Sequence, residues 1–404
     1  STTLNETDGL VVATNQTGFS QWTILSNEGE NTFIDMQAPT VASTSVNPVQ
    51  PGILEEVTVS ATINDETGIT SADLYYTSGG SAVFASTAMS GTGSSWSGLI
   101  PGTEVSRNGI IYYISATDPL EYSALSDTFG VAVTFPAGNL TTSSVNGSGY
   151  SGGLPIDKWR LLAVPAVLTT ATVAGVIGDE LGAQSNATWR IFRYDQNTST
   201  YKENPNDFTP GEAYWIYQRV EDNLVLTAPG GQTGNMSGTS LTIVPGWSLI
   251  SSPYPFPIDA ALNQTLFYGP ITYGVSAESW TDVQTELIPW SGYALYNRTS
   301  NDQTVTLNPI ASTSGTLART VQKEGWLMNL AVAAGVYADQ FNQLGRIIGA
   351  EEGLDHYDNP ELLPPGEYLS LAFALPEYGG KTTFTSDLRS PDHNPALWMV
   401  NIRA

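Results

Sequence analysis

Two stretches about ninety residues apart say nearly the same thing. Residues 158–167 read KWRLLAVPAV, and residues 245–257 read PGWSLISSPYPFP. Each puts a tryptophan, an aliphatic core and a closing proline into the W-x-L-x-(S/A)-x-P pattern of Trp159–Pro165 and Trp247–Pro253. Further landmarks follow in the same order. WRIFRY, PGEAYWIY and NLVLTAP in the first copy answer to a shorter middle around Trp280, then PWSGYALY and QTVTLNP in the second. Trp159 pairs with Trp247, Pro210 with Pro289 and Tyr214 with Tyr293. Order and spacing together identify an internal duplication, which constrains the fold more than any single motif. A weaker echo runs from GWLMNL at Trp326 to PPGEYLSL at Tyr368.

Alternation decides between core and pocket. In an extended strand Trp, Leu and Ser or Ala of the motif share one face, and the proline ends the strand. Repeated aromatics at such positions read as the core of a repeated β module. The competing reading makes Trp159, Trp189, Trp247, Trp280 and Trp290 stacking platforms for a polysaccharide. Upstream, VTVSATIND alternates strictly, and ADLYYTSGG, AVFASTAM, SSWSGLIPG, IIYYISATD and FGVAVTF follow at short spacing. That density of short strands predicts an immunoglobulin-like or fibronectin-III-like sandwich with Val59, Ile63, Leu74, Trp96, Tyr113 and Phe129 in its core.

The expected fold is therefore all-β, several sandwich modules in series. The divisions are an N-terminal strand segment (1–37), the Ig-like sandwich (38–136), a Ser/Thr/Gly/Asn-rich linker (137–153), module copies at 154–232 and 233–311, and a C-terminal module (312–404). Residues 171–181 and 338–348 have rough helical periodicity with internal glycine, and predict short helices or turns.

Charge excludes whole classes of function. With 14 Lys+Arg against 39 Asp+Glu the net charge is −25, which repels phosphate backbones and anionic membranes. No apolar run is long enough for a membrane helix. The absence of cysteine removes disulfides, thiolate metal sites and cysteine nucleophiles. G-x-G-x-x-G (Gly147, Gly149, Gly152) and G-x-S-x-G (Gly149, Ser151, Gly153) occur inside the linker, where a preceding strand and a following helix are both missing. His356 and His393 lack the neighbours of a zinc site. The adjacent pairs Asp179–Glu180 and Glu351–Glu352 point apart on a strand and make poor acid/base pairs. No cofactor is expected, and an independent hydrolase is disfavoured.

The best metal candidate is calcium at Asp355, Asp358 and Glu361, three oxygen donors at three-residue spacing in a proline-bounded loop. Nine N-x-S/T sequons, at Asn5, Asn15, Asn139, Asn146, Asn186, Asn197, Asn235, Asn263 and Asn297, are glycosylation candidates and favour an extracellular or cell-surface location. STTLNETDG reads as a processed start.

Several of these stretches also resemble a recurrent C-terminal region of large secreted proteins from environmental and gliding bacteria, many of them type IX secretion substrates. The resemblance rests on TINDETGITSADLYYTSGG, DELGAQSNATWRIFRYD, FTPGEAYWIY, PGWSLISSPYPFPI, LIPWSGYALYN, DHYDNPELLPPGEYLSLAF and FTSDLRSP. It implies a string of β modules found beside different enzymes and adhesins, and it brings no catalytic residues. In such proteins a whole domain precedes the Ig-like unit and further domains follow the last module. Here residues 9–35 read as the last two strands of a β domain without its body.

Isolated hairpins are marginal in water, so that segment is expected to join an open sheet edge, either a neighbouring copy's or that of the chain's own Ig-like sandwich, which would leave a monomer. Val11, Phe19, Trp22 and Ile24 would be its anchoring side chains. The expectation is a non-enzymatic structural protein that associates with its own copies, with a polysaccharide-binding ancillary region as the alternative.

Overall fold

The computed structural model describes residues 2–5, 10–13, 22–25, 31–34, 37–144, 149–150, 152–274, 280–281, 283–310, 324–335, 337–373, 383–392 and 397–403. The chain is almost entirely β, in many separate small sheets, as multiple sandwich modules require.

The strands Thr2–Asn5 and Leu10–Ala13 form one antiparallel pair, and Trp22–Leu25 and Asn31–Ile34 form another. Among the described residues neither pair shares a ladder with any other sheet. Residues 9–35 hold three short strands rather than the two expected, and Thr2–Asn5 precedes them.

The sandwich packs a sheet ordered Thr40–Asn47, Val57–Asn64, Ser95–Ile100, Ser90–Thr92 against one ordered Ser123–Leu125, Ile110–Thr117, Ser71–Ser78, Ala85–Ala88. Val57, Val59, Ala61 and Ile63 alternate inward, facing Leu74, Tyr76, Ile114 and Ala116. Tyr112, not Tyr113, faces this core. Tyr113 lies on the outer face, stacked on Tyr75 with ring centroids 4.9 Å apart. In the run IIYY both faces of the strand carry large apolar groups, so alternation alone cannot set its phase.

Residues 137–153 are not a free spacer. Leu140 and Thr142 are fully buried, and Leu140 pairs its carbonyl with the Ala228 amide. Tyr150 is buried too, its hydroxyl donating to the Leu161 carbonyl at 2.8 Å. No helix follows the two glycine motifs; the next regular element is the strand Arg160–Leu162. The helix Val173–Leu181 does form, capped by the Thr172 hydroxyl and buried along Val173, Val176, Ile177 and Leu181. Residues 338–347, by contrast, belong to the strand Tyr337–Ile347, and Ile348 begins the turn after it. Its ladders to Gly325–Ala334 and Ser386–Arg389 override a weak local helical pattern.

The two copies are joined by a pseudo-two-fold relation. Leu162 bridges Ser291, and the equivalent residues of the other copies, Ile250 and Glu212, also bridge. The Ala163 amide donates to the Trp290 carbonyl, and its counterpart Ser251 donates to Gly211, both at 2.9 Å. Within each copy the landmark tyrosine accepts an amide hydrogen from five residues earlier, Thr209 to Tyr214 and Ile288 to Tyr293. A buried amide closes each equivalent strand. Gln218 donates to the Leu154 and Glu221 carbonyls, and Asn297 to those of Ile243 and Asn301.

Candidate functional site: an aromatic seam and its strap

Strand alternation sends Trp159, Leu161 and Ala163 to the face that meets Trp247 and Leu249. Trp215, Tyr273 and Ala294 complete one apolar seam shared by both copies. The opposite faces build separate cores, Leu162, Tyr214 and Ile216 in the first copy and Ile250, Tyr293 and Leu295 in the second. In the seam the rings meet edge to face, Trp215 on Tyr273 at 5.0 Å and on Trp280 at 5.6 Å. Edge-to-face contact is the arrangement that ring quadrupoles favour.

Residues 355–366, the acidic proline-bounded loop, lie across this seam as a strap. Three consecutive strap carbonyls accept hydrogen bonds from ring donors of the two copies. Trp247 Nε1 donates to Glu361 at 3.2 Å, Trp280 Nε1 to Leu362 at 2.7 Å, and the Tyr201 hydroxyl to Leu363 at 2.7 Å. Leu362 enters the seam cluster itself. Gly366 sits so close to the Trp159 indole that an added Cβ would fall 2.1 Å from Nε1. The other end is held by Arg298, which donates to the Asp358 carbonyl at 2.8 Å and to Asn359 Oδ1 at 2.9 Å. Burial lowers the Arg298 pKa, against the pull of Tyr268 and the strap carboxylates.

The three calcium candidates are not gathered into one donor set. Among the described residues no group of three or more His, Asp or Glu is placed to hold a metal ion. Asp358 is buried, with Oδ1 accepting from the Leu388 amide and Oδ2 from the Asp355 amide. Asp355 accepts from the amides of Glu351 and Tyr357. These oxygens serve backbone amides of the turn and of the strand Ser386–Arg389. Burial pushes both Asp358 and Glu361 up to about 7, with Asp355 and Asp387 adding repulsion at Asp358 and Asp339 at Glu361.

Of the five proposed stacking tryptophans, four are core. Trp290 is fully buried, and Trp159, Trp189 and Trp247 keep less than a tenth of their surface. Only Trp280 is half-buried. Trp290 occupies a left-handed backbone position (φ 67°) where the first copy has Gly211 (φ 85°), and it packs into the core of the first copy.

The sequons divide by exposure. Asn186, Asn197, Asn235 and Asn263 are exposed and Asn139 is half-buried. Asn146 and Asn15 lie outside the described residues, and for Asn5 only the strand position is described. Asn297 cannot carry a glycan in the folded chain, because its side chain is 1% exposed and both amide hydrogens are donated internally. Val11, Trp22 and Ile24 lie in the N-terminal strands, and Phe19 lies outside the described residues. Sequence reasoning missed Tyr201 and Arg298. With only 14 Lys+Arg in the chain, an arginine directly after the Y-A-L-Y-N landmark was the available signal.

No family model matches the chain, and no curated protein does. Among solved structures it is similar to a cycloalternan-degrading enzyme from Trueperella pyogenes, free and in complexes with isomaltose or cycloalternan. Identities are 12%, 10% and 9%, each at a TM-score of 0.20, over 65–66% of this chain. The aligned region is 32–34% of that enzyme, so the chain spans about a third of its length. At that TM-score no activity is carried across.

Proposed function

We propose that the chain is a non-enzymatic structural protein of the cell surface or extracellular space, in which N-terminal strands of one copy add to a sheet edge of the next. One observation carries this reading. Four short N-terminal strands pair only as two isolated hairpins among the described residues, beside a sandwich with an open outer strand. That strand, Thr40–Asn47, reads TVASTSVN, eight residues without charge or proline, and it pairs on one side only. Natural edges are blunted by lysine, proline or bulges; this one has a register shift between Val41 and Ser43 but neither lysine nor proline, and Ser43–Asn47 stay in regular register as a template for strand addition. Two-stranded hairpins are marginal alone and gain by joining a sheet.

A head-to-tail contact of this kind propagates as a filament unless its rotation closes a ring. Each copy carries a net charge of −25, so repulsion opposes assembly and added salt should promote it. The resemblance to secreted bacterial β modules supports the location. The test compares the full chain with a variant lacking residues 1–36 by light scattering and negative-stain microscopy. Assembly of the full chain alone is expected. Assembly of the truncated chain, or a full chain that stays monomeric at high concentration and salt, would overturn the proposal.

A further inference from the structure

Beside the strap, between the second copy and the C-terminal sheet, lies a cleft of about 450 Å³, a size typical of small-ligand sites. Four carboxamides line it: Asn329, Gln340, Gln343 and Asn359. Asn329 and Gln343 stand directly opposite on paired strands, and Gln343 Nε2 donates to Asn329 Oδ1 at 3.0 Å. That bond orients both groups, leaving an NH₂ donor on Asn329 and a carbonyl acceptor on Gln343. Asn359 is oriented in the same way, since its Oδ1 accepts from Arg298 and its NH₂ is left to donate. A register shift between Leu330 and Val332 adds a residue to the opposite strand, and Gln340 reaches the same cleft as Gln343 although three positions away. The Trp280 and Tyr268 rings share the apolar part of the lining with Ile271, Val283, Pro360 and Leu362.

The lining selects by elimination. It contains no Lys, Arg or His, so an anion meets no countercharge. Arg298 nearby is spent on the strap. The one carboxyl group of the lining, Glu361, is pushed up to about 7 by burial, so at acidic pH a cation also finds no resident partner. A purely apolar ligand would strand the oriented amides without partners. A hydroxyl both donates and accepts, and a run of hydroxyls on a ring with apolar C–H faces matches fixed amides flanked by aromatic rings.

We infer that this cleft binds an uncharged oligosaccharide, hydrogen-bonded by Asn329, Gln340, Gln343 and Asn359 and packed against Trp280. The inference is independent of the assembly reading, and a chain that never assembles can still bind.

The test titrates the full-length protein with the hexasaccharides of cellulose, amylose, xylan, mannan and β-1,3-glucan, and with hexagalacturonate as the charged control. Tryptophan emission and calorimetry report binding. Saturable binding of at least one neutral probe is expected, with hexagalacturonate weaker. Gln340→Lys and Gln343→Leu should each weaken binding about tenfold or more at unchanged melting temperature, as lost hydrogen bonds to a ligand do. Gln340 is exposed, which keeps the first variant folded. Silence from every neutral probe at millimolar concentration, preference for the charged control, or full affinity in both variants overturns the assignment.

Discussion

Replacing Asp358 by asparagine separates the two things this carboxyl group does, which are to accept hydrogen bonds and to titrate. Its pKa rises from 3.8 to about 7 in the folded chain, burial being the largest cause. The folded state then holds a proton that the unfolded state releases. Stability from this group is fully present below about pH 4, falls as the pH rises, and levels off near 7. A raised pKa of about three units, at about 1.4 kcal/mol each, makes the fall on the order of 4 kcal/mol.

Asparagine cannot titrate, so the variant loses this slope. It also has one acceptor where two amides donate, from Leu388 at 2.9 Å and Asp355 at 3.0 Å. Losing one of those bonds costs about 1–3 kcal/mol at every pH. The two stability curves should therefore cross, wild type ahead near pH 4.5 and the variant ahead near pH 8. Urea unfolding followed by tryptophan fluorescence across that range measures both. Parallel curves, or a wild type that gains stability between pH 4.5 and 7, would refute the reasoning.

Trp247→Ala should cost about 3–5 kcal/mol as a core cavity, since the ring packs on Tyr268 and Tyr296 and pins the strap. A native melting temperature would return Trp247 to the status of a ligand contact. Gln218→Leu and Asn297→Leu should destabilise by similar amounts, about 2 kcal/mol or more each, because each strands two carbonyls and the loop amides bonded to the side-chain oxygen. An unchanged urea midpoint for either variant would break the equivalence.

How far the sequence could be read depends on how local the deciding physics is. The sandwich strand Val57–Asn64 was legible because one face is buried and the other is not, and the seam face of Trp159, Leu161 and Ala163 because the motif repeats. Tyr112 and Tyr113 were not separable, since both faces of their strand carry apolar side chains. The strand at 337–347 was illegible because its partners lie elsewhere in the chain, one of them a parallel strand beginning at Ser386. The strap's hydrogen-bonded anchoring was hidden for a related reason. Its carboxylates are close in sequence, while the amides and ring donors that hold it come from residues as distant as Tyr201 and Leu388. The amide-lined cleft depends on a register shift that composition does not reveal.

The duplication also explains why the landmark aromatics do not act as an open platform. A module repeated twice has two equivalent apolar faces, and the pseudo-two-fold bridges bring those faces together as one seam. The indole N–H groups of Trp247 and Trp280 then need acceptors, and the strap supplies consecutive carbonyls. Symmetry is broken where it must be. The second copy places Trp290 in a left-handed position that the first gives to Gly211, and the indole fills the core of the first copy. A bulky residue held there costs on the order of 1 kcal/mol in backbone strain, offset by burial of the whole ring. At Gly211 the same left-handed backbone (φ 85°) is met with glycine, the residue that adopts it without strain. The pair of copies is thus committed to one mutual orientation, and its ligand-accessible chemistry is displaced to the margin, where Trp280 and the amides of the C-terminal strands face solvent together.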